Sequence, residues 1–227
     1  MTRLLDLGID RIRNIIMDMA KLSENSVFTA IESYQESTLV KKQIFDWSEK
    51  LRVLQEEVSD LAIEMIARYQ PVASDLRFIK SCMEISYGFS RFGRYSYDIV
   101  DVLETMGSIS NCDKSAVLET AKTVREMILL SLNALQSRDK NAAEKLYEMD
   151  DTVDTQYRKY LRDLITPSSQ VQEKSTEKIL TNGDNNNPRC YISALLILRY
   201  LERISDHACY IGDSVHYIVT GFSSPRR

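Results

Sequence analysis

The chain is poor in the residues that interrupt a helix. Seven Gly and four Pro in 227 positions leave room for long regular elements with short connections. It also lacks an excess of positive charge. Twenty-nine Lys and Arg stand against 33 Asp and Glu, a formal net charge of −4, which argues against general binding of nucleic acid. No uncharged apolar run approaches the roughly 20 residues of a membrane span; the longest lies near Ala194–Leu198. No glycine-rich phosphate loop of the GxxxxGKS/T or GxGxxG type occurs, so nucleotide binding is not expected. His207 and His216 are the only histidines, and no serine or cysteine sits in a nucleophile elbow, so no catalytic triad can be built. Acids interrupt the first ten residues, unlike a secretory leader. The four cysteines, Cys82, Cys112, Cys190 and Cys209, form no CxxC pair and no disulfide-like spacing. They are expected to be buried or idle thiols in a reducing, cytoplasmic compartment.

What the chain does have is helical period. Hydrophobic residues make up 44% of it, enough to bury a sizeable core. Leu5, Ile9, Ile12, Ile16, Met19 and Leu22 recur at three- and four-residue steps, the stripe of a first amphipathic helix. A second helix is predicted from about Leu39 to Tyr69, ended by Gln70-Pro71. A third runs from Ala73-Ser74-Asp75 to Met106, with Gly107 as its stop. The polar stretch Ser108–Asp113 marks a break between units. A fourth helix is expected over about Lys114–Gln136, and a fifth from an Asp139 N-cap to Ile165, before Pro167. Residues 167–187 are polar. Asn187-Pro188 then reads as an N-cap and first helical position, opening a sixth helix that stops at Thr220-Gly221. Nothing alternates with period two for long, so strands are not expected.

Three helices, a break and three helices imply an all-α chain of two related units, 1–108 and 109–227. A shift of 112 residues carries Arg77 onto Arg189, Arg91 onto Arg203, Ile99 onto Ile211 and Asp101 onto Asp213. A shift of 102 carries Ser48 onto Asp150 and Arg52 onto Asp154. Glu202 and Asp206 in the sixth helix are four apart, hence on one face, with Cys209, Asp213 and His216 continuing the stripe. That stripe lies opposite the apolar set Ile197, Ile204, Ala208, Ile211 and Val215. Asp150 and Asp154 in the fifth helix are also four apart. If the two helices pack side by side, four carboxylates meet, and a cation is the usual remedy for their repulsion. By spacing alone, a pair of acids four apart on a helix reads more simply as a solvated face.

Two strings resemble a known family. Gln70-Pro71-Val72-Ala73-Ser74-Asp75-Leu76-Arg77 is similar to the QPxASDLR signature of the PhoU family of phosphate-uptake regulators, and Glu202-Arg203-Ile204-Ser205-Asp206 to its ERIGD motif. Tyr210–Val215 and Tyr217–Gly221 resemble archaeal members in particular. The resemblance covers nearly the whole chain. It implies two tandem three-helix bundles whose acid-xxx-acid motifs hold iron, zinc, manganese or a similar divalent or trivalent ion. Carried over here, the metal ligands are Asp150, Asp154, Glu202 and Asp206, with Asp151, Asp213 and His216 as possible additions. In the first unit the matching places hold Ser48, Arg52, Ser90 and Arg94, so no metal is expected there. The resemblance further implies a non-enzymatic regulator of phosphate homeostasis. Its partners would be the ATPase subunit of a phosphate ABC transporter, a sensor histidine kinase where one exists, and a second copy in a homodimer. The alternative is a metal-dependent enzyme of di-iron or hydrolase type. Such bundles use Glu-x-x-His pairs facing the core, and this chain has none.

Overall fold

The computed structural model describes residues 4–165 and 187–223, and among these every regular element is a helix. In chain order they are α1 (Leu4–Glu36), α2 (Lys41–Tyr69), α3 (Ala73–Met106), α4 (Ser115–Ser137), α5 (Ala142–Ile165) and α6 (Pro188–Thr220). The boundaries follow local chemistry. Asn187 accepts a side-chain hydrogen bond from the Arg189 amide, with Pro188 next to it. Gln70 takes a left-handed conformation ahead of Pro71, its amide returning to the Ile66 carbonyl. Gly107 and Gly221, both at positive φ, close α3 and α6. Asp139 caps the turn just ahead of α5, its Oδ1 accepting from the Asn141 amide at 3.0 Å. The segment 167–186, with its polar run, lies outside the described residues.

The helices form two three-helix bundles, α1–α3 and α4–α6, joined chiefly where α3 packs on α6. One apolar core runs through both. Ile12, Met19, Ile44, Leu51, Phe89 and Phe92 of the first bundle belong to the same buried cluster as Val124, Ile128, Leu146, Leu201 and Ile204 of the second. Between the helices the seams are lined with serine. Ser23, Ser86, Ser96, Ser131 and Ser205 are buried, each donating its hydroxyl to a carbonyl three or four residues back. Small side chains that satisfy their own polarity let helices approach closely. Gly93 and Gly212 carry this furthest. A Cβ on Gly93 would sit 2.6 Å from Leu51 Cδ1 and 3.2 Å from Ser48 Cα; one on Gly212 would meet Leu146 Cδ1 at 2.6 Å. The pairs α2–α3 and α5–α6 are thus drawn together at the places where the charged side chains lie.

One expectation is overturned. Cys112 and Cys190 are joined in a disulfide, their Cα atoms 5.3 Å apart across a sequence separation of 78. The fold returns the first turn of α6 to the loop after α3, which no spacing in the sequence announces. Cys82 and Cys209 are buried and are not joined in a disulfide among the described residues.

Candidate functional site

The α5–α6 seam holds the four acids. Asp150 and Asp154 from α5, and Glu202, Asp206 and Asp213 from α6, line one groove of about 420 Å³ together with Tyr147, Arg203 and Cys209. The sequence placed the stripe opposite the core. It runs instead along a helix–helix seam, where Asp150 is 7% exposed and Glu202 9%, and Cys209 belongs to the core. Burial is therefore the first electrostatic fact of the site. It raises Glu202 above the ordinary carboxylate range, helped by the charge of Asp206 and opposed by Arg199 and Arg203. Burial likewise raises Asp206, against the pull of Arg203 and with the charge of Asp154 adding to it. Each of these costs the ionised form something that a partner must return.

Arginines are those partners. Arg158 reaches Asp154 at 2.6 Å, Arg199 reaches Glu202 at 2.7 Å and Arg203 reaches Asp206 at 3.0 Å. Asp213 accepts from the Tyr147 hydroxyl at 2.5 Å. Of the possible further ligands, only Asp213 joins the groove. Asp151 is exposed, and His216 is tied by its Nδ1 to the Lys140 carbonyl at 2.9 Å. Clustered carboxylate oxygens suit a hard cation. Glu202 Oε2 is buried without a hydrogen bond, 3.5 Å from Arg203 Nε. As the side chains stand, no three His, Cys, Asp or Glu among the described residues are gathered closely enough to hold a metal ion. The donor set fits a metal; its present arrangement is that of ion pairs.

The first bundle carries the same groove with different chemistry. Phe45, Ser48, Arg52, Ser90, Arg91, Arg94 and Tyr97 line a hollow of about 260 Å³ between α2 and α3. The two shifts of the repeat carry Phe45, Ser48 and Arg52 onto Tyr147, Asp150 and Asp154. They carry Ser90, Arg91, Arg94 and Tyr97 onto Glu202, Arg203, Asp206 and Cys209. Every one of these lines the α5–α6 groove. Acids in one unit are serine and arginine in the other.

A third hollow, of about 490 Å³, lies between the two grooves and shares walls with both. It meets the basic groove at Gln55 and Tyr87 and the acidic one at Tyr210 and Asp213. At its wall stands His207, ringed by Tyr87, Tyr95 and Tyr210 with ring centroids 5.3–5.9 Å away. Burial, then the charges of Arg91 and Arg203, push its pKa down to about 4. This aromatic junction was missed from sequence. Its tyrosines come from α3 and α6, and only their packing brings them to one histidine.

A pair of tandem three-helix bundles, each with a charged groove between its second and third helices, defines the class: an all-α tandem-repeat protein. The PhoU domain profile matches residues 16–103 and 117–215, and the chain belongs to the PhoU family. It is 29% identical, over 98% of its own length and 88% of the relative's, to a phosphate-specific transport system accessory protein PhoU homolog of Zymomonas mobilis subsp. mobilis. A similarly named homolog of Methanothermobacter thermautotrophicus is 26% identical over 92% of this chain and 93% of that one. The fold matches the crystal structure of PhoU from Pseudomonas aeruginosa with TM-score 0.80 at 24% identity, covering 96% and 99% of the two chains. It matches the regulatory protein PhoU from Streptococcus pneumoniae with TM-score 0.81 at 17% identity, covering 98% and 100%. None of the described helices is long and apolar enough to cross a membrane.

Proposed function

We propose that this protein regulates phosphate transport and cellular phosphate homeostasis as a binding protein, acting on the cytoplasmic side through the ATPase subunit of a phosphate transporter. Where a sensor histidine kinase is present, that kinase is a second partner. What supports the reading is the family match across both units, with relatives named as accessory proteins of a phosphate-specific transport system. The site is read as a metal centre held by Asp150, Asp154, Glu202 and Asp206, taking iron, zinc, manganese or a similar ion. The bound ion would neutralise the acidic seam and pin α5 to α6, fixing the shape of the surface that docks. Holding an ion there would require Asp154, Glu202 and Asp206 to give up their pairs with Arg158, Arg199 and Arg203. No proton transfer or bond cleavage is assigned to these groups.

A homodimer is part of the same proposal. Sedimentation or light scattering of the purified chain tests it, and a monomer at micromolar concentration would remove it. The functional reading is tested by co-purifying the chain with the transporter's ATPase subunit and measuring phosphate uptake in cells lacking the protein. Unchanged uptake and no association would sink it. Catalytic turnover in oxygen-consumption or phosphatase assays that disappears in Asp206→Asn would favour an enzyme instead. The cytoplasmic placement meets the Cys112–Cys190 bond directly. In a reducing compartment the pair stands as two thiols unless its potential lies below that of the thiol pool.

A further inference from the structure

We propose that the α2–α3 groove of the first bundle binds a small multiply charged oxyanion of the inorganic phosphate class, at the positions that in the second bundle carry the acids. Three guanidinium groups, Arg52, Arg91 and Arg94, face a hollow in which Glu49 is the single carboxylate among the described residues. Their donors are unevenly committed. Arg52 is taken up by Glu49 and Glu56. Arg94 commits its Nε to Asp98 at 3.3 Å. Arg91 gives Nη2 to the Tyr95 hydroxyl at 2.9 Å, while its Nε is buried with no hydrogen bond. A guanidinium has five donors in a fixed fork that matches the oxygens of phosphate. Arg91 and Arg94 therefore keep several donors for a ligand.

Arg91 is also held in place. Its guanidinium lies over the rings of Tyr95 at 4.9 Å and Tyr87 at 5.9 Å, so little freedom remains to be lost on binding. Ser48 and Ser90 stand at the positions of Asp150 and Glu202 and supply hydroxyls where those supply carboxylates. Both line the hollow beside the arginines. The hollow of about 260 Å³ holds a tetrahedral anion with several waters, at about 30 Å³ of liquid volume per water. Oxygen acceptors of high charge are what this donor set recognises. The same backbone groove thus presents acids in one bundle and serine and arginine in the other.

The proposal goes beyond the functional reading above and does not depend on a metal in the second bundle. The experiment uses the full chain stripped of metal by chelator, so that the two readings fail separately. Inorganic phosphate is titrated calorimetrically at constant ionic strength, with chloride and phosphatidic acid vesicles as comparison arms. Saturable phosphate binding is expected, weakened about tenfold or more in Arg91→Gln/Arg94→Gln, as loss of charge-assisted contacts implies. It is expected to be unchanged in Lys122→Gln/Lys145→Gln, which removes the same charge from exposed sites. Should the arginine pair be needed for folding, Arg94→Gln alone, at an exposed position, carries the test. Absence of saturable phosphate binding overturns the proposal. So does binding that the arginine variants leave intact, and so does capture by vesicles without any binding of free phosphate.

Discussion

At the residue scale the acidic groove is a place of stored unfavourable charge. Burial raises Glu202 and Asp206, with the charge of Asp206 adding to the first and that of Asp154 to the second, so the folded chain disfavours their ionised forms relative to the unfolded chain. Neutral isosteres remove that penalty at neutral pH. Glu202→Gln and Asp206→Asn are therefore expected to raise the melting temperature of chelator-treated protein, and to abolish any further rise on adding metal. A fall in the metal-free melting temperature would mean that the arginine pairs outweigh the burial. Cys82 behaves differently. Burial pushes its thiol up to about 12 from 9.0, with the charge of Arg13 acting the other way. The thiol group thus contributes stability that is complete below pH 9 and is lost as pH climbs toward 12. In native protein at pH 8 it should be nearly inert to a thiol reagent, reacting only on unfolding; rapid labelling of Cys82, followed by mass spectrometry, would contradict this. The acids themselves were legible from their spacing and from the strings around them. The arginines that hold them went unread, although Arg158 stands four residues after Asp154 and Arg199 three before Glu202 on the same helix, a spacing at which side chains meet.

At the scale of elements the caps and breakers made most helix ends readable. Asn187-Pro188, Gln70-Pro71, Gly107 and Gly221 act within one turn of chain, so sequence suffices to locate them. The length of α1 was less legible. Past Leu22 its buried face is interrupted by Ser23, Ser26 and Ser33 before and between Val27, Ile31 and Tyr34, and serine does not register as an inward residue. The disulfide between the α3–α4 loop and α6 was not legible at all. Closing a separation of 78 residues is worth roughly 4 kcal/mol by loop entropy. Cys112→Ser/Cys190→Ser, or a reductant, should lower the unfolding free energy extrapolated from a urea titration by that order, with a lower midpoint. Equal midpoints with and without reductant would show that the bond contributes little.

At the scale of the whole molecule the two bundles share one core. Phe89 and Phe92 of α3 and Ile204 and Ala208 of α6 belong to a single buried cluster, and His207 of α6 sits among tyrosines of both bundles. Separating the units would expose this face to water at about 25 cal/mol for each Å² of apolar area. A single cooperative transition is expected in calorimetry, with the van't Hoff and calorimetric enthalpies in agreement. Two resolved transitions would show that the bundles unfold independently.

Periodicity, caps and two short motifs established by themselves an all-helical chain of two related units, and they marked Asp150, Asp154, Glu202 and Asp206 as belonging together. These are local properties: which way a side chain points on its own helix, and where that helix stops. Tertiary structure decided what lies across each seam. It buried Asp150 and Glu202 and half-buried Asp154 and Asp206 in the α5–α6 seam, joined Cys112 to Cys190, and brought Ser48, Arg52, Ser90, Arg91 and Arg94 into a groove matching the acidic one. A hydrophobic stripe tells a helix to seek a partner without naming it, so burial, pairing and the joining of grooves depend on packing over the whole chain.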